Sequence, residues 1–292
     1  MSYDDYDYEY KRPAPKPAPK KKKKKSKAPL ILVLLLVLVV GLVVLLLKSC
    51  GGDEDATPTQ PKGPQPVVGP TGDYHFDGLY YTDDRAANYV PGSAEAVELS
   101  FQWTRQNGHG QAQVTLSTDR GMYEYYKSLA RYFSVDEYSY YLNDANNRAL
   151  VGQIVAAIRK ENGKDLSASA MARECAQFVQ GAITYELDGD TAGMDEYPRY
   201  PIETLFEGRG DCEDSSILLA AMLKELGYDV GFLLLPDHLA VALRTADDYT
   251  DTAYYEINGH RYLYIESTGE GFNIGDIPED MQGVEASFHP VP

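Results

Sequence analysis

One cysteine in the sequence stands in a setting that favours nucleophilic chemistry. Residues 208–214 read GRGDCED, so Cys212 follows a glycine-containing segment and has carboxylates on both sides. Asp211 is a residue type that caps helices, and Asp214 three residues later completes a capping-box pattern. This pattern predicts a buried helix that begins at or beside Cys212 and ends near Gly227. A thiol in the first turn of a helix faces unpaired N–H groups and the positive end of the helix dipole, which favour a thiolate and an oxyanion.

His238 is the candidate base for this thiol. The carboxylates beside Cys212 oppose its ionisation, so the helix end requires a nearby base. His238 follows an apolar strand at residues 230–235 and a Pro-Asp turn, and it opens a second apolar strand. One helix, one strand and one turn would therefore bring the imidazole to the thiol.

Glu266 is the candidate third member of the site. Asn258 and Gly259 stand between two alternating runs, and this dipeptide predicts a β-hairpin. In the return strand Tyr262, Tyr264 and Glu266 share one face of the sheet. A carboxylate at the end of that face is placed to orient the imidazole of His238.

The order of cysteine, histidine and acid on helix, strand and next strand resembles the transglutaminase-like cysteine proteinase superfamily. The resemblance covers about residues 170–277, and the segments GDCED, DHLAV and YIEST carry it. It assigns the nucleophile to Cys212, the base to His238 and the orienting acid to Glu266, where the family more often has Asp. It also implies an α+β fold with a papain/transglutaminase-like core, in which the nucleophile helix packs on an antiparallel sheet.

The chemistry that this resemblance implies is acyl transfer on an amide or peptide bond through a thioester intermediate. The expected substrate is a protein or peptide, and no cofactor is expected. Hydrolysis is favoured over cross-linking because water needs no second binding site. The backbone N–H of Cys212 supplies one oxyanion donor, and Gln180 is a candidate for the second. The alternative function is a catalytically idle binding or structural module at the cell surface.

A structural disulfide is one rival interpretation of Cys212. Cys175 lies on the apolar face of a predicted helix, where it is most simply a small core residue. In an oxidising compartment these two cysteines are alternatively a disulfide pair. The disulfide does not explain why a thiol stands at a capped helix start with a histidine one strand away.

Metal binding is the other rival interpretation. Cys212, His238 and Glu266 are all possible zinc ligands, but the closely spaced Cys or His pairs of structural zinc sites do not occur in the sequence. Residues 188–196 read DGDTAGMDE and resemble a calcium loop, although Ala192 stands at a ligand position. We therefore expect no metal site, and an acidic surface loop at residues 188–196.

The N-terminal quarter of the chain predicts a membrane anchor. Residues 1–28 are of low complexity and strongly basic, which indicates a disordered cytoplasmic tail. Residues 30–47 contain no polar side chain, and these 18 residues would span about 27 Å as a helix. The resulting expectation is a signal anchor at residues 29–48.

The remaining chain is expected outside the membrane, in the orientation that the basic tail dictates. Residues 49–73 form a linker rich in Pro and Gly, and residues 74–292 form the extracytoplasmic domain. An alternative anchor is a lipid on Cys50, because the segment LKSC resembles a lipoprotein processing site. The net charge of −17 in spite of the basic tail indicates a strongly acidic domain that does not bind nucleic acid.

The front of the domain is expected to contain a hairpin and three helices. Alternating apolar residues at 97–103 and 114–116 predict the hairpin. Asn143-Asp144 caps a helix that ends at Gly163, and Ser167 or Ser169 begins the next one. The helix before them has an inward face at Met122, Tyr126, Leu129 and Phe133.

Overall fold

The computed structural model describes residues 85–92, 94–105, 110–162, 166–193, 196–246 and 252–292. The predicted tail, membrane segment, Cys50 and linker lie outside these residues. Across the described ranges, no helix is both long enough and apolar enough to cross a membrane.

The predicted hairpin at the front of the domain is confirmed. Strands β1 (Ala96–Thr104) and β2 (Gln111–Asp119) pair antiparallel, with Phe101 opposite Val114. Their inward side chains are buried or half-buried and their outward ones exposed, in the alternation typical of a strand with one covered face. Trp103 meets the ring of Phe178 edge to face at 5.3 Å, which attaches this hairpin to the helices.

Helix α1 (Arg120–Lys127) is shorter than its apolar spacing predicts. Asp119 caps its start by accepting the N–H of Met122 at 2.7 Å. The Ser128 hydroxyl donates to the carbonyl of Tyr125 at 2.6 Å and closes the last turn. The expectation that Phe133 lies on the same inward helical face is therefore wrong, and its side chain is 61% exposed.

The two long helices that follow are confirmed with their caps. A single helical turn, α2 (Ser139–Leu142), precedes them. Asp144 caps α3 (Ala145–Asn162) by accepting hydrogen bonds from the N–H groups of Asn146 and Asn147. Ser167 caps α4 (Ala168–Ala182) by accepting the N–H of Ala170 at 3.2 Å. Both helices bury their apolar faces, and Cys175 is fully buried on α4.

Helix α7 (Cys212–Glu225) is the centre of the fold. Between α4 and α7 lie the short elements β3 (Thr184–Tyr185), α5 (Asp188–Thr191), α6 (Pro201–Glu207) and β4 (Arg209–Gly210). Every residue from Ile217 to Leu223 is buried, because α7 packs on α3 and α4 and on the sheet. Gly227, with φ of 82°, turns the chain at its end, as predicted.

Five strands form the main sheet of the described residues: β5 (Val230–Leu235), β6 (His238–Thr245), β7 (Tyr255–Ile257), β8 (His260–Ile265) and β9 (Ser287–Pro290). They are antiparallel in the order β7-β8-β6-β5-β9. Positive φ angles of 51° at Asn258 and 79° at Gly259 confirm the predicted hairpin. One face of the sheet packs on α7, and the other is covered by the chain around Met281. The fold therefore mixes helices and sheet as expected.

Candidate active site

Cys212 is the first residue of α7, and the predicted capping box fixes it there. Asp211 accepts the N–H of Asp214 at 3.3 Å, and Asp214 accepts the N–H of Asp211 at 3.4 Å. Gly210 is required before this box, since a Cβ there would lie 2.5 Å from the Cβ of Asp214. Cys212 as a whole residue is 8% exposed and therefore buried.

His238 and Glu266 form a hydrogen-bonded pair at neighbouring strand ends. Nε2 of His238 lies 3.0 Å from Oε2 of Glu266, and both side chains are largely buried. His238 begins β6, and Glu266 follows the last residue of β8, which pairs with β6. The structure thus brings together the predicted base and the predicted acid.

Three further hydrogen bonds hold the carboxylate of Glu266. The backbone N–H and the hydroxyl of Thr268 donate to Oε1 at 2.9 and 2.7 Å, and the Tyr264 hydroxyl donates to Oε2 at 2.8 Å. Burial by itself would raise the pKa of Glu266. The interactions with His238 and Thr268 outweigh burial and lower this pKa to about 2, so the carboxylate is ionised.

The start of α7 lies against the same strand end. Ser216, one helical turn after Cys212, donates a hydrogen bond to the carbonyl of Leu239, the residue after His238, at 3.0 Å. Because Nε2 of His238 contacts Glu266, Nδ1 is the ring nitrogen that can accept the thiol proton. The three elements that carry the predicted site residues therefore meet at the start of β6, and His238 and Glu266 are in direct contact there.

The thiol itself donates to a neighbouring carboxylate. Sγ of Cys212 lies 2.9 Å from Oε2 of Glu213. Burial raises the pKa of Cys212 well above its usual range, and the charge and hydrogen bond of Glu213 raise it further. Burial also raises the pKa of Glu213. The resting site therefore holds a protonated thiol.

Gln180 does not supply the second oxyanion donor, which corrects the sequence-based expectation. Its side-chain amide donates to the carbonyl of Glu266 at 2.7 Å and to the carbonyl of Phe272 at 3.3 Å. Both amide hydrogens are thus committed to carbonyl oxygens. Gln180 instead ties helix α4 to the chain just after β8.

Arg199 is a buried residue of the site that the sequence analysis missed. Its Nη1 donates to Asp188 at 2.6 Å and to Asp214, its Nη2 donates to Thr191, and its side chain is 1% exposed. The backbone N–H of Arg199 also donates to Asp214 at 2.7 Å. The signal in the sequence was a single arginine between tyrosines, YPRYP, shortly before the GDCED motif.

Asp188 departs from the acidic surface loop expected at residues 188–196, because it is buried against Arg199, whereas Asp190 and Glu196 are exposed. Possible ligand atoms of Asp188, Asp211 and Asp214 lie within 4.8 Å of one another, and the guanidinium supplies the positive charge there. Burial raises the pKa of Asp188 to about 6, with the charge of Asp211 adding to it.

The structure contradicts the disulfide interpretation of Cys212, because Cys212 and Cys175 are both free thiols. Among the described residues, the groups of possible ligand atoms close enough to hold a metal ion do not include Cys212, His238 and Glu266.

Comparisons with known proteins give a family match around this site. Residues 153–236 match the family model described as the Transglutaminase-like superfamily. Calcium-bound LapG of Legionella pneumophila is 17% identical with a TM-score of 0.32, over 53% of this chain and 82% of that one. Another LapG structure from the same organism is 16% identical with a TM-score of 0.31, over 54% and 83%. No curated protein matches. The segment that matches this family model includes Cys212, so the chain is similar to the transglutaminase-like superfamily over the helix that carries this residue.

Proposed function

We propose that this protein is a thiol enzyme that acts on amide or peptide bonds of a protein or peptide substrate. Cys212 is the nucleophile, His238 the base and Glu266 the residue that orients the base. The observation that carries this proposal is the hydrogen bond between His238 and Glu266, at a strand end that the first turns of α7 contact through Ser216 and Leu239. The match of residues 153–236 to the Transglutaminase-like superfamily supports a cysteine-peptidase-like enzyme.

The acylation half of the reaction follows from this arrangement. Nδ1 of His238 takes the thiol proton, and the ionised Glu266 stabilises the imidazolium that forms. The sulfur attacks the carbonyl carbon, and the negative charge moves to the carbonyl oxygen near the N–H groups at the start of α7. When the C–N bond breaks, His238 returns its proton to the leaving amine and a thioester remains.

The deacylation half uses the same groups. His238 takes a proton from water, and the hydroxide attacks the thioester carbon. The C–S bond breaks, the acid is released, and the proton on His238 returns to the sulfur. An amine in place of water would give a cross-link. We favour hydrolysis because the second substrate is then water, which needs no binding site.

A pair of cysteine variants tests this proposal. The full-length protein, Cys212→Ser and Cys175→Ser are incubated with a mixture of unfolded proteins, and new amino termini, released ammonia and incorporated amines are measured by mass spectrometry. We expect activity in the parent and in Cys175→Ser, since Cys175 lies within α4, and none in Cys212→Ser, because a hydroxyl is a much weaker nucleophile. Equal turnover in Cys212→Ser would overturn the proposal.

A second candidate function is a binding module without catalytic activity. The hydrogen bond from the Cys212 thiol to Glu213 favours this function. A thiol held by a carboxylate in a buried site is poorly nucleophilic. The two candidates differ in how iodoacetamide reacts at neutral pH. If His238 activates the thiol, Cys212 is labelled and His238→Ala slows the labelling. If Cys212 reacts slowly and His238→Ala changes nothing, the protein is the idle module.

We also propose that the domain is anchored to the membrane and faces the exterior. The apolar run at residues 30–47 and the basic residues before it support this orientation. Protease added to right-side-out vesicles should cut the linker and release a fragment that contains Cys212. Protection of that fragment together with loss of the lysine-rich tail would reverse the orientation.

A further inference from the structure

Ser216 lies at the meeting point of the three elements that carry the proposed site. It stands one helical turn after Cys212 on α7 and is fully buried. Its Oγ donates to the carbonyl of Leu239 at 3.0 Å and lies 3.0 Å from Oγ of Ser267. Leu239 follows His238 in the chain, and Ser267 follows Glu266.

The directions of these hydrogen bonds follow from counting hydrogens. A serine hydroxyl carries one hydrogen, and Ser216 gives its hydrogen to Leu239. In the contact between the two serines, Ser267 is therefore the donor and Ser216 the acceptor. The hydrogen bonds form one chain, from Ser267 through Ser216 to the backbone of Leu239.

The backbone of Leu239 contacts α7 because the pairing of β6 with β8 ends before this residue. The pairing of β6 with β8 runs from Thr245 opposite Arg261 to Val241 opposite Ile265 and stops there, so Leu239 lies beyond it. Its carbonyl accepts a hydrogen bond from Ser216 at 3.0 Å. Residues four apart on a helix share one face, so this bond holds the face of α7 that carries Cys212 against the start of β6.

We propose that Ser216 and Ser267 are positioning residues that set the distance between the thiol and the His238–Glu266 pair. This inference rests on the proposed function. Apolar packing holds α7 on the sheet but tolerates sliding, whereas a buried hydrogen bond near 3 Å fixes both distance and direction. A displacement of about 1 Å at a reacting centre lowers the rate about 100-fold. The pair of serines thus maintains the register that the proton transfer from Cys212 to His238 requires.

The test uses Ser216→Ala, Ser267→Ala and the double variant in the full-length protein, with Ser139→Ala as the matched control. Ser139 is buried like Ser216, but its Oγ has no hydrogen-bond partner within the described residues. Three quantities are measured for each variant. They are the free energy of unfolding in urea, the kcat and KM for a substrate identified in the mixture of unfolded proteins, and the rate of iodoacetamide labelling of Cys212 from pH 6 to pH 10.

We expect Ser216→Ala to lower kcat by about 10-fold to 100-fold with little change in KM, because the reacting groups are misplaced. Labelling of Cys212 should shift to higher pH, because the start of β6, which carries the base His238, is no longer held against α7. Ser267→Ala should give a smaller effect of the same kind. The double variant should equal Ser216→Ala, because both residues act through one chain of bonds.

The labelling profile separates this inference from the proposed function. If no variant, including the parent, turns over a substrate but Ser216→Ala still shifts the labelling of Cys212, the positioning role stands and the enzymatic proposal fails. If Ser216→Ala and Ser267→Ala match Ser139→Ala in kcat and in labelling, the positioning role is overturned. Should Ser216→Ala fail to fold, Ser267→Ala decides alone, because Ser267 lies outside the helix.

Discussion

The thiol of Cys212 donates its hydrogen to the carboxylate of Glu213, the next residue in the chain, over 2.9 Å. Both groups are in a poorly solvated position, and burial raises the pKa of each. The proton that must reach His238 is therefore hydrogen-bonded to Glu213 in the resting state. Glu213 controls how readily Cys212 ionises.

Glu213→Gln should make Cys212 more reactive at a given pH. Burial still raises the pKa of Cys212 in this variant, but the negative charge at residue 213 is removed and the acceptor for the thiol hydrogen is weaker. The pH midpoint of iodoacetamide labelling should therefore move downward. Glu225→Gln, at the other end of α7, is the control and should leave the midpoint in place. An upward shift, or none, would contradict this role of Glu213.

Glu266 should make the stability of the domain depend on pH in a defined window. Its pKa is lowered from 4.5 to about 2, so the ionised form is favoured in the folded state. This contribution is fully present above pH 4.5 and is lost as the pH falls to about 2. It amounts to on the order of 3 kcal/mol.

The comparison of parent and Glu266→Gln by urea unfolding at several pH values isolates that contribution. The free energy of unfolding of the parent should exceed that of Glu266→Gln above pH 4.5, and this difference should disappear as the pH falls from 4.5 to 2. Glu124→Gln, at an exposed position on α1, serves as the reference. A difference between parent and Glu266→Gln that stays constant across this range would contradict the assignment.

Arg199→Ala should be strongly destabilising near neutral pH. It removes the cation between Asp188 and Asp214 and leaves buried carboxylates unpaired, which costs about 3–5 kcal/mol. The decrease in the free energy of unfolding should be smaller near pH 4, because the buried carboxyl groups can then take up protons. Arg209→Ala removes a salt bridge whose arginine side chain is 39% exposed, and its cost should stay below about 1 kcal/mol. Equal costs for the two variants in urea unfolding would contradict this prediction.

Gly210→Ala should disturb the start of α7. The added methyl group would lie 2.5 Å from the Cβ of Asp214 and 2.6 Å from its Oδ2, so the capping box must shift, at a cost of about 1–3 kcal/mol. Gly189→Ala is the control, since a Cβ there meets no atom within 4 Å. Thermal unfolding and labelling of Cys212 should both change for Gly210→Ala only. A variant as stable as Gly189→Ala, with unchanged labelling, would contradict the prediction.

Local patterns in the sequence determined the elements that carry the site. The capping box of Asp211 and Asp214 acts within one helical turn, and the Asn258-Gly259 turn acts within four residues, so both can be read from adjacent residues. Alternation along β8 likewise placed Tyr264 and Glu266 on one face. Cys212, His238 and Glu266 could therefore be chosen from the sequence, with the membrane anchor at residues 29–48 resting on sequence alone.

The tertiary structure decided which side chains meet. Arg199 packs against Asp214, Gln180 turns its amide toward Glu266, and Ser216 reaches Leu239. The partners in these pairs are separated by between 15 and 86 residues along the chain. A periodic pattern states which face of an element is buried, but it does not state which buried polar groups satisfy one another. That choice depends on how the helices and the sheet are placed in space, because a hydrogen bond requires a donor and an acceptor about 3 Å apart in the right direction.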